Sequence, residues 1–165
     1  MPRLIVKPFA HHDHPREIIR QFTPNWFTVT MGTGVVALAL NQFPENIPLL
    51  HQIGAVLWMA NIILFATCTA LYAGRWIFFT RDALPIFGHP VMPMFLGAIP
   101  MGLATIVNGF LAFGISHIGH TAVEIAVVLW WVDAVLAIAV GLLVPFLMFT
   151  RQTHSIESML SLIHI

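Results

Sequence analysis

Residues 89–114 read HPVMPMFLGAIPMGLATIVNGFLAFG, without an Asp, Glu, Lys or Arg among them. About 25 residues at 1.5 Å each cross a bilayer core of about 30 Å, so the stretch predicts a transmembrane helix. Pro100 stands near its middle and removes one backbone donor, which predicts a kink there. Gly97, Gly102 and Ala104 keep the adjoining surface small. With Thr105 and Asn108 they suit a helix buried in protein or lining a cavity better than one facing lipid. On this stretch alone two readings stand, a kinked packing helix and a pathway wall.

Composition fixes the class. Charged residues make up 8% of the chain and hydrophobic ones 58%, with a mean hydropathy of +0.86. These values describe an integral membrane protein, all-α by the length of its apolar runs. The formal net charge is zero, which implies no polyanion, so no nucleic-acid partner is expected. The single cysteine, Cys68, lies inside an apolar run and offers neither a disulfide framework nor a thiolate metal site.

The chain divides into a leader (1–22), a first hairpin (23–79), a linker (80–90), a second hairpin (91–150) and an end (151–165). The leader has no apolar core long enough for a cleavable signal and is expected to remain as a tail. Pro15 to Phe22 predicts a short amphipathic helix at the membrane surface. The cluster His11, His12, Asp13 and His14 reads as a mobile tail, since a metal site needs fixed geometry and a second shell. Thr23 and Pro24 read as a helix cap and first helical residue. Four spans follow, at residues 25 to about 40, 49–79, 89–114 and 121–150. In the first, Met31, Gly32, Thr33 and Gly34 make a thin, polar stripe at mid-membrane. It is either close helix packing or a narrow pathway wall.

Arg3, Lys7, Arg16, Arg20, Arg75, Arg81 and Arg151 are all the basic residues. They fall in the leader, at the linker or after the fourth span. None falls in the other two turns. The positive-inside rule then places both ends of the chain in the cytoplasm, in a cell membrane.

The chain also repeats itself. Leu57-Trp58-Met59-Ala60-Asn61 is matched by Leu129-Trp130-Trp131-Val132-Asp133 at an offset of 72, and Met31-Gly32 by Met101-Gly102 at an offset of 70. The repeating unit is a helical hairpin of about 70 residues, both copies running the same way. Asn61 and Asp133 then lie roughly 17 Å down, near mid-bilayer. A carboxyl there is by default a functional hypothesis. Because the matching position is a neutral Asn, the residues favour a structural role for both. Asp133 would be carried as the neutral acid, or bonded to Asn61, a Trp N–H or a main-chain N–H.

His117 and His120 read as a solvated turn and His51 as interfacial. His89, beside Pro90, reads as a cap or a solvated residue. No phosphate loop, catalytic carboxylate pair, Cys–His site or nucleophile elbow occurs in the sequence, so nothing in it supports an enzyme. No metal or cofactor is expected.

Several motifs together resemble a known family. They are Asn25-Trp26-Phe27, Met31-Gly32-Thr33-Gly34, Asn61 to Phe65, His89-Pro90, Phe95-Leu96-Gly97, Ile99 to Gly102 through Asn108, and Leu129 to Asp133. Over residues 23–150 the chain resembles the tellurite-resistance/dicarboxylate transporter (TDT) family. That family includes malate transporters, sulfite efflux pumps, tellurite-resistance proteins and slow anion channels. The resemblance implies ten helices as five hairpins around a central pore, often as homotrimers. The first helix of each hairpin would line the pore and the second would stand outside it. Carried over, Met31, Gly32, Thr33, Gly34, Pro100, Met101, Gly102, Thr105 and Asn108 line the pore, while Asn61 and Asp133 belong to outer helices. The family's occluding phenylalanine lies in later helices and has no counterpart here.

The departure is in length: two hairpins, not five. Residues 160–165, LSLIHI, resemble the translation of a sequencing-library adaptor and are expected not to be biological. A third hairpin would begin near residue 164. The expected function is transport of a small anion, a C4-dicarboxylate such as malate first, sulfite or another inorganic anion second. The alternative is a four-helix scaffold subunit that transports nothing. Two hairpins leave such a pore open, so the chain by itself is expected to insert, self-associate or be degraded, and to conduct no anion.

Overall fold

The computed structural model describes residues 15–43, 48–89 and 91–150. The His11–His14 cluster and the 151–165 end, with its adaptor-like residues, lie outside the described residues. Among those described, every regular element is helical. Helix α1, Pro15–Gln21, is the predicted surface helix. A 3-10 turn, Pro24–Trp26, leads into α2, Phe27–Asn41. Helix α3 is Pro48–Phe78. The linker holds α4, Thr80–Ala83, and a 3-10 turn, Leu84–Gly88.

The third span is not one uniform helix. It opens as a 3-10 segment, Met92–Gly97, and continues as α5, Ala98–Gly109. It then widens into a π turn, Phe110–Gly114, and closes with α6, Ile115–Ile118. Pro100 is therefore the third residue of α5, inside the first turn, where backbone donors have no intrahelical acceptor anyway. The change from 3-10 to α geometry thus falls in the turn that Pro100 occupies, and a second departure from α geometry comes ten residues later. Gly119 carries a φ of +61°, which glycine adopts without a steric cost, and turns the chain into α7, His120–Thr150.

Among the described residues, three segments are long and apolar enough to cross a membrane: α3, the run Met92–Ile118, and α7, with mean hydropathies of 1.9, 1.7 and 2.5. Helix α2 is shorter. Its 15 residues span about 22 Å. The three-residue 3-10 turn Pro24–Trp26 before α2 shortens the regular part of the first span.

Helix α2 packs against both α3 and α5, and α5 packs in turn against α7. The direction of the two hairpins is visible in side-chain pairs. Thr30 faces Gly102, and Gly34 faces Thr105. The pairs ascend together, so α2 and α5 run the same way, as the parallel repeat predicts. One apolar cluster, Phe22, Phe27, Cys68 and Ala98, sits at the end that carries α1. A second, Ala37, Trp58 and Phe113, sits at the other end.

At the first end Arg75 is only 9% exposed. Its guanidinium donates to the carbonyl oxygens of Phe22 at 2.6 Å and Asp82 at 2.9 Å. Arg20 pairs with the Asp82 carboxylate at 2.7 Å. One arginine thus ties the end of α3 to the chain entering α2 and to the linker. The sequence shows Arg75 only as a topology marker. His89 acts as a cap: its Nδ1 accepts the N–H groups of Val91 and Met92, both at 3.2 Å.

Candidate functional site

The chemistry of the membrane part is concentrated where α2, α3 and α5 meet. Small residues allow that meeting. A methyl group on Gly34 would collide with the Thr105 side chain and come within 2.8 Å of Asn61 Nδ2. A methyl on Gly102 would stand 2.5 Å from Thr30 Oγ1. Each helix therefore offers a threonine to the other's glycine, which brings the two backbones close. Both hydroxyls donate back into their own helix, Thr30 to Phe27 O and Thr105 to Gly102 O, each at 2.7 Å.

That leaves the Thr105 oxygen free to accept, and Asn61 Nδ2 donates to it at 3.3 Å. Asn61 is fully buried. Its Oδ1 has no hydrogen-bond partner. One turn earlier on α3, the Trp58 indole N–H donates to Ile106 O at 3.2 Å. The indole lies directly on Gly109, where no larger residue fits. Trp58 also meets Phe110 edge to face, with ring centroids 5.0 Å apart. Helix α3 of the first hairpin is thus locked to α5 of the second by two polar contacts and an indole seated on Gly109.

The nine residues expected along a pathway fall into two groups. Gly34, Pro100, Gly102 and Thr105 are buried among helices of this chain. Gly32, Met101 and Asn108 are exposed, and Met31 and Thr33 are partly buried. On the third span the exposed residues form a narrow stripe. Met94, Met101 and Asn108 recur every seven residues and so share one face. Gly97 lies on the same face, and a methyl group added to it would meet nothing within 4 Å; the same holds for Gly32 of α2. The rest of α5 is enclosed. Asn108 supplies the one polar head group of this stripe, and its Nδ2 donates to Ala104 O at 2.9 Å, leaving the amide oxygen outward.

Asp133 lies on the side of α7 that carries its buried residues Ala122 and Ala126. Its Oδ1 is buried without a hydrogen-bond partner. Asn61 is joined instead to Thr105, so the expected pairing of Asn61 with Asp133 does not form. Trp130 and Trp131 touch each other edge to face and are largely exposed. Sequence reasoning overlooked Thr30, Trp58 and Gly109 as members of this junction. The signal for Thr30 was its place one turn before Gly34. The signal for Gly109 was weaker, because nothing local distinguishes it from other glycines. Among the described residues no cluster of His, Cys, Asp and Glu could hold a metal ion.

Comparison with known proteins identifies the family. The family model described as SLAC1, voltage-dependent anion channel, matches residues 21–165. A sulfite efflux pump of Arthroderma otae is 38% identical over 141 residues, covering 86% of this chain and 38% of the pump. An uncharacterized transporter of Methanocaldococcus jannaschii is 29% identical, covering 86% of this chain and 39% of that protein. A malic acid transport protein of Schizosaccharomyces pombe is 22% identical, covering 90% of this chain and 34% of that protein. The chain thus spans less than half the length of these relatives. No solved structure matches it.

Proposed function

The chain belongs to the SLAC1, or tellurite-resistance/dicarboxylate transporter, family of voltage-dependent anion channels, and on that premise we propose that its two hairpins form part of the wall of an anion path. The observation that carries the reading is the stripe on the third span. Met94, Gly97, Met101 and Asn108 leave a neutral face, with one glycine and one amide, on a helix otherwise enclosed by protein. A path must bind an ion weakly enough to release it, and a wall without a fixed cation does that. The buried threonine and glycine pairs set the spacing of the wall helices, and Gly32, Met101 and Asn108 face the ion. Asn61 and Asp133 hold helices together and do not carry the ion.

Sulfite takes precedence over malate as the substrate. Three relatives named as sulfite efflux pumps are 36% to 38% identical, while the malic acid transport protein is 22% identical. The positive-inside rule supports a cytoplasmic side for α1, the linker and the end of α7, with the chain in the cell membrane. By the family resemblance, the working assembly is a homotrimer of such paths.

A chimera tests the proposal. The matched 141 residues of the Arthroderma otae pump are replaced by those of this chain, and sulfite release is followed from cells and from liposomes. We expect release within about tenfold of the parent pump, and little malate flux. A chimera that reaches the membrane in normal amounts but releases no sulfite overturns the proposal.

A further inference from the structure

Helix α1 is docked on the last turns of α3. Its Ile19 rests at Gly74, where an added methyl group would stand 3.3 Å from Ile19 Cγ2. Beside that contact the two helices leave a cleft of about 430 Å³, lined among the described residues by Arg16, Ile19, Phe78 and Phe79. Three of these side chains are apolar and the fourth is a cation. Arg16 is exposed and forms no ion pair among the described residues, while Glu17 and Asp82 both pair with Arg20. Phe78 is 71% exposed, and Ile77 before it is exposed as well. The cleft lies at the level of lipid headgroups. Helix α3 has 31 residues, about 46 Å, so its last turn stands outside a hydrocarbon core of about 30 Å. Tyr72 and Trp76, which meet edge to face, are the residues expected at such an interface. Around it, Arg16, Arg20, Arg75 and Arg81 face two carboxylates, Glu17 and Asp82, which leaves an excess of positive charge. A smaller cleft on α7, about 280 Å³, is lined by Glu124, Ile125, Val128 and Leu129, with a carboxylate where the first has a guanidinium.

We infer that the cleft between α1 and the end of α3 binds an anionic phospholipid, with the phosphodiester on Arg16 and an acyl chain along Phe78 and Phe79. A free anion would satisfy the guanidinium and leave the exposed rings against water. A lipid without net charge would cover the rings and leave the guanidinium without a counter-charge. An amphiphile with a negative head does both, and a phosphate suits the planar fork of an arginine. The bound lipid acts beside the Arg20–Asp82 pair, the polar tie between α1 and the linker. It therefore holds α1 against the bundle where the chain enters α2. The inference concerns a lipid and does not depend on which anion passes or on which leaflet this end faces.

The test places the chain in phosphatidylcholine vesicles with a trace of photoactivatable phosphatidylglycerol or, in a parallel set, of the matching photoactivatable phosphatidylcholine. The reactive group sits at the top of one acyl chain, and labelled peptides are mapped after irradiation. An arginine at an anionic surface is worth roughly fivefold in binding. Phosphatidylglycerol should therefore label the peptide carrying Phe78 and Phe79 at least fivefold more than phosphatidylcholine does. At the α7 cleft it should have no such advantage. Arg16→Gln should abolish the preference, and unchanged labelling of the α7 cleft in that variant shows that it still inserts. Arg81→Gln, which removes an exposed charge outside the cleft lining, should lower the preference less than twofold. Excess inorganic phosphate should leave the labelling unchanged. Equal labelling by the two lipids, or a preference that survives Arg16→Gln, overturns the inference. An equal fall with Arg81→Gln also overturns it, because general surface charge then accounts for the effect. Displacement by inorganic phosphate overturns it too, because a free anion is then the occupant.

Discussion

The side-chain amide of Asn61 donates to Thr105 Oγ1 at 3.3 Å, joining helices that lie 44 residues apart in sequence. The Thr105 hydroxyl itself donates a hydrogen bond to Gly102 O. An acceptor that is already donating elsewhere can take only a donor. Asn supplies one, and an ionised carboxylate does not.

Asn61→Asp should therefore be more harmful than Asp133→Asn. A carboxylate at the fully buried position has no cation in reach, and its burial costs several kcal/mol. At position 133 Asn should be tolerated to within about 0.5 kcal/mol, as a neutral polar exchange at a half-buried site. Asp133→Leu should be worse than Asp133→Asn, by about 1–3 kcal/mol, on the reading that the carboxyl meets a polar group in the assembled protein. Thermal unfolding of the variants in detergent, compared in one series, measures these differences. Equal loss for Asn61→Asp and Asp133→Asn would contradict the assignment.

Gly34→Val and Gly32→Val should differ sharply although they are neighbours. At Gly34 the new side chain meets Thr105 and Asn61, and forcing it in costs about 1–3 kcal/mol or more. At Gly32 nothing lies within 4 Å, so folding should be almost unchanged. In the sulfite pump chimera Gly32→Val should slow release nonetheless. Normal release by that variant would remove Gly32 from the wall.

Asn108→Asp should lower sulfite release by the chimera at least tenfold, since a negative charge on the path repels the ion. Asn108→Gln should keep most of the activity. Protein abundance in the membrane, measured alongside, separates transport from folding. If Asn108→Asp releases sulfite at the parent rate, the stripe does not face the ion.

Arg75→Met should loosen the end of the bundle that carries α1. It leaves the carbonyls of Phe22 and Asp82 without their donor, at about 1–3 kcal/mol. Arg75→Lys should not restore the clamp, because one ammonium cannot span two carbonyls as the planar guanidinium does. The readout is limited proteolysis, with faster cleavage around residues 79–89 expected in both variants. An unchanged pattern for Arg75→Met would show that the clamp contributes nothing.

Cysteines at His117 and Arg81 test the orientation. A membrane-impermeant thiol reagent added outside intact cells should label the first and spare the second. The reverse pattern would defeat the proposal that the linker is cytoplasmic.

The sequence by itself determined the membrane class, the helical hairpins, their parallel repeat and the family. Each of these depends on composition, on run length or on spacing along one chain, and such quantities are local. It also marked Asn61 and Gly34 as unusual without saying what they touch. The tertiary structure alone decided which glycines are closed and which are open. Gly34 and Gly32 have similar surroundings in sequence but opposite surroundings in space, because a rotation of about 200° separates them on the helix. It added a second irregular turn, Phe110–Gly114, to the change from 3-10 to α geometry beside Pro100. It turned Arg75 from a surface charge into a buried clamp and Trp58 into a contact with a carbonyl 48 residues away. Helical periodicity shows that a residue has a face. Only the packing of a second and third helix shows what that face meets.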